Sequence, residues 1–162
     1  FPMRTDRYEL REEPAAAGEY RGGIGIVREN TFLEDTIITC EGERHESDVP
    51  WGAYGGHEGR NASIIKNPGR DGEESWPSKV TGRELLAGDS VQITVPSAGG
   101  FGNPMKRDAE KVLSDVLDGF TNREAAERDY GVVLKETTNG LEIDEAGTEK
   151  LRTAALAVVE VS

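Results

Sequence analysis

Three groups of residues in this sequence could carry chemistry. The first is the glycine run within Pro96-Ser97-Ala98-Gly99-Gly100-Phe101-Gly102-Asn103-Pro104, which follows a valine-rich stretch and precedes a helix start. Glycines permit positive φ and let another surface approach bare backbone. One chemistry such a run can serve is anion binding, because free N–H groups at a helix start attract phosphate. No Gly-Lys-Ser/Thr ending follows, however, and Pro104 removes a donor that a phosphate cradle needs. A strand-to-helix junction, or a backbone wall of a shared site at Gly99, Gly100 and Gly102, fits the residues better.

Arginines form the second group. Arg21 precedes Gly22-Gly23, and Arg44 precedes His45 and the Trp51-Gly52 loop. A planar guanidinium beside bare backbone suits a carboxylate or a phosphate. With 31 acidic residues in the chain, a surface or fold-stabilising ion pair is the favoured role for either arginine taken singly. The third group is His45 and His57 with Glu43, Glu46, Asp48 and Glu58. Their spacing matches no closed zinc pattern, and a single cysteine cannot complete one. That cysteine, Cys40, reads as a small core residue rather than a nucleophile. Neither a Gly-x-Ser-x-Gly elbow nor an HExxH helix occurs, so no complete catalytic set is visible.

The elements that must position these residues change character along the chain. Strand patterns occupy Arg4–Glu12, Gly18–Asn30 and Thr31–Glu41, and Asn61–Lys66 predicts a short strand. Trp51-Gly52-Ala53-Tyr54-Gly55-Gly56-His57 mixes aromatics with glycines as a packed loop does, and Asn67–Pro77 reads as an exposed acidic loop. Val80–Leu85 and Ser90–Pro96, joined by Ala87-Gly88-Asp89, predict a hairpin. Val91, Ile93 and Val95 give the second arm one apolar face.

After the glycine run the period becomes helical. Asp108 predicts an N-cap, with Val112, Leu113, Val116 and Leu117 on one face before Gly119. Thr121 and Glu124 have capping-box spacing for a second helix ending near Gly131. Val132–Lys135 predicts a short strand, a turn and further extended chain through Ile143 follow, and Asp144 caps a last helix. Ala146, Leu151, Ala154, Ala155 and Val158 are its expected inward side. The expected fold class is α+β: a β-rich body over 1–102, a sandwich or distorted barrel, and a helical carboxy-terminal region over 103–162 packed on it as one compact unit.

Composition narrows the partners. The 162 residues carry a net charge of −12, which disfavours nucleic acid and anionic membranes because no phosphate-neutralising patch is present. Solubility accounts for the acidic excess, and so does adaptation to a high-salt interior, given thirteen arginines against six lysines. A lone cysteine and no signal-peptide pattern point to a reducing, cytoplasmic setting.

The segment Ser97–Pro104 with Arg107-Asp108 resembles the glycine-rich GGGYGDP…RD signature of the hydantoinase B/5-oxoprolinase family. Other blocks agree in order: Phe1-Pro2-Met3-Arg4 with Tyr8 and Leu10, Gly18–Gly25, Arg44 with Pro50-Trp51-Gly52 and Gly55-Gly56, Leu86–Asp89, and Arg123–Val133. The resemblance covers nearly the whole chain but corresponds only to the carboxy-terminal portion of a family member. Departures are Ser97-Ala98 where glycines are common, Phe101 for tyrosine and Asn103 for aspartate.

What the resemblance implies is a part of an ATP-dependent cyclic-amide hydrolase acting on 5-oxoproline or hydantoin-type rings. An ATP-binding hydantoinase A-type subunit, the remaining amino-terminal part of the B-type subunit and a small-molecule substrate are the implied partners. ATP and a divalent metal are expected elsewhere in that complex, with no cofactor held by this chain alone. Inactivity in isolation follows. Arg21, Arg44, Gly99, Gly100 and Gly102 are the candidate substrate-binding residues, and the catalytic residues are left unassigned. The rivals are a non-catalytic assembly module and part of a related ATP-dependent ketone carboxylase.

Overall fold

The computed structural model describes residues 2–45 and 48–159, with side chains described as far as Ala155. The chain forms a mixed α+β fold of two compact units. The first comprises residues 1–12, 24–50 and 59–98; the second comprises 13–23, 51–58 and 99–162. This division differs from the linear one at residue 102. Two short segments from the β-rich half belong with the helices, because backbone ladders rather than side-chain periodicity hold them there.

Seven strands build the first unit: β1 (Met3–Leu10), β2 (Ile26–Phe32), β3 (Thr36–Glu41), β4 (Ser63–Lys66), β5 (Glu74–Trp76), β6 (Lys79–Leu85) and β7 (Ser90–Thr94). Five form an antiparallel sheet in the order β1-β2-β7-β4-β5, and β3 pairs with β6. Ile64, Trp76 and Val91 from the larger sheet meet Cys40, Val80 and Leu85 from the smaller in one core. The expected β6–β7 hairpin does not form. The turn at Leu86–Asp89 instead sends the chain from one sheet to the other, pairing β7 with β2 and β4.

Other strand bounds shift for local reasons. The expected Gly18–Asn30 strand is confined to Ile26–Phe32, and its glycine-bearing start is irregular. Within the expected acidic loop, β5 pairs with β4 and buries Trp76. Along β7, Val91 is buried under the smaller sheet, whereas Ile93 and Val95 line an open groove with Ile38 and Cys40. Burial therefore does not alternate along this stretch: Ser90 and Val91 are both buried, Gln92 and Thr94 are half-buried, and Ile93 and Val95, expected on the apolar face, are the more exposed.

Helices dominate the second unit: α1 (Ala109–Leu117), α2 (Arg123–Tyr130) and α3 (Glu145–Val159), with the hairpin β8 (Leu134–Thr137) and β9 (Gly140–Ile143) between the last two. Asp108 caps α1 by accepting from the N–H groups of Glu110 and Lys111. The cap of α2 is Asn122 rather than Thr121: its side chain accepts from Ala125 N–H, and Gly131 closes the helix in the left-handed conformation at φ +62°. Ala17, Val112, Ala126, Tyr130 and Val132 form the core. Leu117 is exposed, while Asp115 takes an inward position on α1. On α3, Thr148 faces inward and Ala146 and Ala154 do not; the expected Val158 contact lies outside the described side chains.

Candidate functional site

The glycine run lies at the centre of the second unit, where three chain segments meet backbone to backbone. Gly100 accepts from Ala53 N–H at 2.9 Å and donates to the His57 carbonyl at 2.9 Å. Phe101 exchanges two bonds with Tyr20, at 3.0 and 2.9 Å, and Gly102 donates to Ala53 at 2.9 Å. His57 N–H in turn donates to the Ala17 carbonyl at 2.8 Å. A Cβ at Gly99 would fall inside the Trp51 carbonyl, one at Gly100 inside that of Ala17, and one at Gly56 inside that of Gly100. Gly102 additionally takes φ +77°. Because the amides of Gly100 and Gly102 already donate to protein carbonyls, these glycines present backbone surface rather than a row of donors.

Bare backbone inside pushes the aromatic side chains outward. Tyr20, Trp51, Tyr54 and Phe101 are 64%, 72%, 84% and 48% exposed. The segment expected to be a packed loop thus has a packed backbone and unpacked rings. The Tyr54 and Tyr20 rings lie 5.0 and 6.2 Å from that of Phe101, both tilted. Gly56 N–H closes a turn onto the Ala53 carbonyl at 3.0 Å, which places Tyr54 at φ +51° and Gly55 at φ +90°. Positive φ in a bulky residue is a local strain that the surrounding ladder must hold.

Beside this clamp lies a buried carboxylate. Asp115 accepts from Arg21 Nε at 2.9 Å and from Arg107 Nη2 at 2.8 Å. Arg107 also donates to the Glu19 carbonyl at 3.0 Å, and the Arg21 guanidinium sits 4.2 Å from the Phe120 ring centre. Next to Asp115, the buried Tyr130 hydroxyl has no hydrogen-bond partner among the described residues. Burial, offset only in part by the Arg107 charge, pushes its pKa up to about 12.

Arg21 and the three glycines therefore share one unit, with Arg21 committed to Asp115. Arg44 belongs to the first unit, where it has φ +61°, is exposed and donates to Asp48 at 3.0 Å. His45 and His57 fall in different units, and Glu46 lies outside the described residues. Among the described residues no three His, Cys, Asp or Glu side chains converge to hold a metal. Cys40 is buried, and burial raises its thiol pKa, which favours the unreactive thiol.

Sequence reasoning misses Asp115. For Asp115 a signal exists: it stands three residues after Val112, on the stripe of α1 that faces inward, where a carboxylate needs a buried cation.

With seven strands around one side-chain core, helices on a second core and a glycine ladder in the same unit as the helices, this is a mixed α+β module of an identifiable kind. The chain belongs to the Hydantoinase B/oxoprolinase family, whose sequence profile matches residues 1–104. It is 41% identical over 153 residues to the B-type subunit of a putative D-/L-hydantoinase from Pseudomonas sp. (strain NS671), covering 94% of this chain and 25% of that protein. The beta subunit of caprolactamase from Pseudomonas jessenii is 32% identical, with 95% of this chain and 26% of that protein covered. The crystal structure of the ATP-dependent caprolactamase from Pseudomonas jessenii superposes with TM-score 0.65 at 30% identity, over 94% of this chain and 26% of that one. A nucleotide-free acetone carboxylase shares the fold at TM-score 0.70 and 21% identity, over 99% and 26% of the two chains. The chain spans about a quarter of the length of these relatives.

Proposed function

We propose that this chain is the carboxy-terminal part of a B-type subunit that contributes to ATP-dependent hydrolytic opening of a cyclic amide, of the 5-oxoproline or hydantoin type. The observation that carries this reading is the 41% identity to a B-type hydantoinase chain across 94% of the sequence. An unactivated ring amide is a poor electrophile, and phosphorylating its oxygen makes the ring carbon far more susceptible to attack by water. In this reading an A-type partner supplies the ATP site, and the rest of the B-type subunit supplies the divalent metal. The complex works in the cytoplasm, in keeping with a single, buried thiol.

The substrate-binding roles of Arg21, Arg44, Gly99, Gly100 and Gly102 belong to the same proposal. The glycines offer a rigid backbone wall, and Arg44 an exposed guanidinium that can exchange Asp48 for an anionic substrate group. The test is ATP-dependent ring opening by the complex reconstituted from this chain, the remaining B-type part and an A-type partner. Turnover of 5-oxoproline or hydantoin is expected from the complex and none from the chain alone. Arg44→Lys, which keeps charge but loses the fork, should impair turnover with assembly intact. Turnover by the isolated chain, abolished by its own substitutions, would overturn the reading.

A further inference from the structure

In the first unit a two-stranded sheet covers a five-stranded one, and it is too narrow for the task. Residues directly opposite in a ladder share a face, so the row Ile64, Ile93, Arg28 and Tyr8 lies on the face that holds the core. Exposure climbs along that row: Ile64 is 2% exposed, Ile93 37% and Tyr8 70%, with Arg28 exposed between the last two. Two residues along the same face, Val95 and Leu10 are exposed as well. The row Arg7, Glu29 and Gln92 on the opposite face is polar, as expected where a sheet faces water on one side only. Toward β1, therefore, the apolar face of the sheet has lost its cover.

Strand β3 borders this uncovered part. One groove of about 530 Å³ is lined by Ile38–Glu41 together with Ile93, Val95 and Pro96. A second, of about 410 Å³, is lined by Thr36–Ile38 together with Met3, Arg28 and Phe32. No described residue of β6 lines either groove, and among the described residues β3 pairs with no strand but β6. The other edge of β3 is open. Natural edge strands are guarded by charge, proline or a bulge. Thr36-Ile37-Ile38-Thr39-Cys40 has neither charge nor proline. The extra residue of its ladder sits on β6, where Thr81 and Gly82 together oppose Thr39 and Gly82 takes φ +66°.

From this geometry we infer that an extended segment of the remaining B-type part docks here as a strand beside β3. It bonds along the open edge and lays alternate apolar side chains on Ile93, Val95 and Leu10. The inference rests on the reading that this chain works with the rest of a B-type subunit. The relatives leave ample chain for it, since the matched stretch covers only 25% and 26% of their lengths. Charge disfavours a second copy of this chain, which would bring a further net charge of −12. Glu34 and Asp35 at one end of β3, and Glu41 and Glu43 at the other, favour a segment with Lys or Arg between its apolar positions.

The test is amide hydrogen exchange, read by mass spectrometry, on this chain alone and bound to the remaining B-type part. Exchange within Thr36–Glu41 should slow by about tenfold or more in the complex. Ile93→Lys should weaken association by roughly tenfold or more, whereas Leu117→Lys, at an exposed apolar position of the second unit, should leave it unchanged. The exchange measurement needs only the wild-type chain, so it stands whether or not Ile93→Lys folds. Failure of the two parts to associate, unchanged exchange at β3, or wild-type association by a folded Ile93→Lys chain overturns the inference. Protection given by the A-type subunit alone, or growing with the concentration of this chain alone, assigns the face to that subunit or to a second copy and overturns it too. Turnover of 5-oxoproline or hydantoin with β3 unprotected would keep the ring-opening reading and reject the docked strand. Protection by the remaining B-type part without turnover would do the reverse.

Discussion

Ile64 and Gly100 both stand at the centre of their units, yet they meet opposite surroundings. Ile64 touches other side chains, among them Trp76 and Val91, in a core built by strand alternation. Gly100 meets carbonyl groups, with Ala17 on one side and the backbone of Ala53 and His57 bonded on the other. Side chains adjust by rotamer changes, so losses in the first unit should be graded. Backbone in a hydrogen-bonded ladder has nowhere to go, so an added methyl in the second should act as a switch.

The largest expected effect tests the carboxylate beside the clamp. Asp115→Ala strands Arg21 and Arg107 together, and an uncompensated buried charge costs about 3–5 kcal/mol, measured by urea unfolding. A loss under about 1 kcal/mol would mean that the two arginines find water or other partners. Gly100→Ala comes next, at about 3 kcal/mol. Its control is Gly23→Ala, at a glycine with nothing within 4 Å of an added Cβ, which should change stability little. Equal effects at both glycines would erase the contrast between the clamp and ordinary chain. In the first unit, Ile64→Val should cost only about 1 kcal/mol.

The smallest effect concerns pH. Folding holds the Tyr130 hydroxyl neutral up to about 12, against 10.0 for the free group. The unfolded chain therefore ionises first, and Tyr130 contributes stability below pH 10 that is lost as pH rises toward 12. Tyr130→Phe removes a hydroxyl that has no partner among the described residues, so it should be near neutral at pH 7 and flatten the alkaline fall in melting temperature. An unchanged alkaline limb would assign that fall to other groups.

Local chemistry by itself determined the α+β class, the Asp108 cap, the Gly131 stop and the burial of Cys40. Each follows from a residue and its near neighbours: an N-cap side chain reaches two residues on, and a glycine takes positive φ without help. Family membership, too, was readable from the ordered glycine and arginine blocks. Only the tertiary structure decided the rest. Which strand pairs with β7, which unit owns residues 13–23 and 51–58, and why Asp115 turns inward are settled by partners far away in the chain, 94 residues in the case of Arg21 and Asp115. Periodicity reports the face a residue prefers. The occupant of the opposite face is set by long-range backbone pairing, which short-range spacing does not encode.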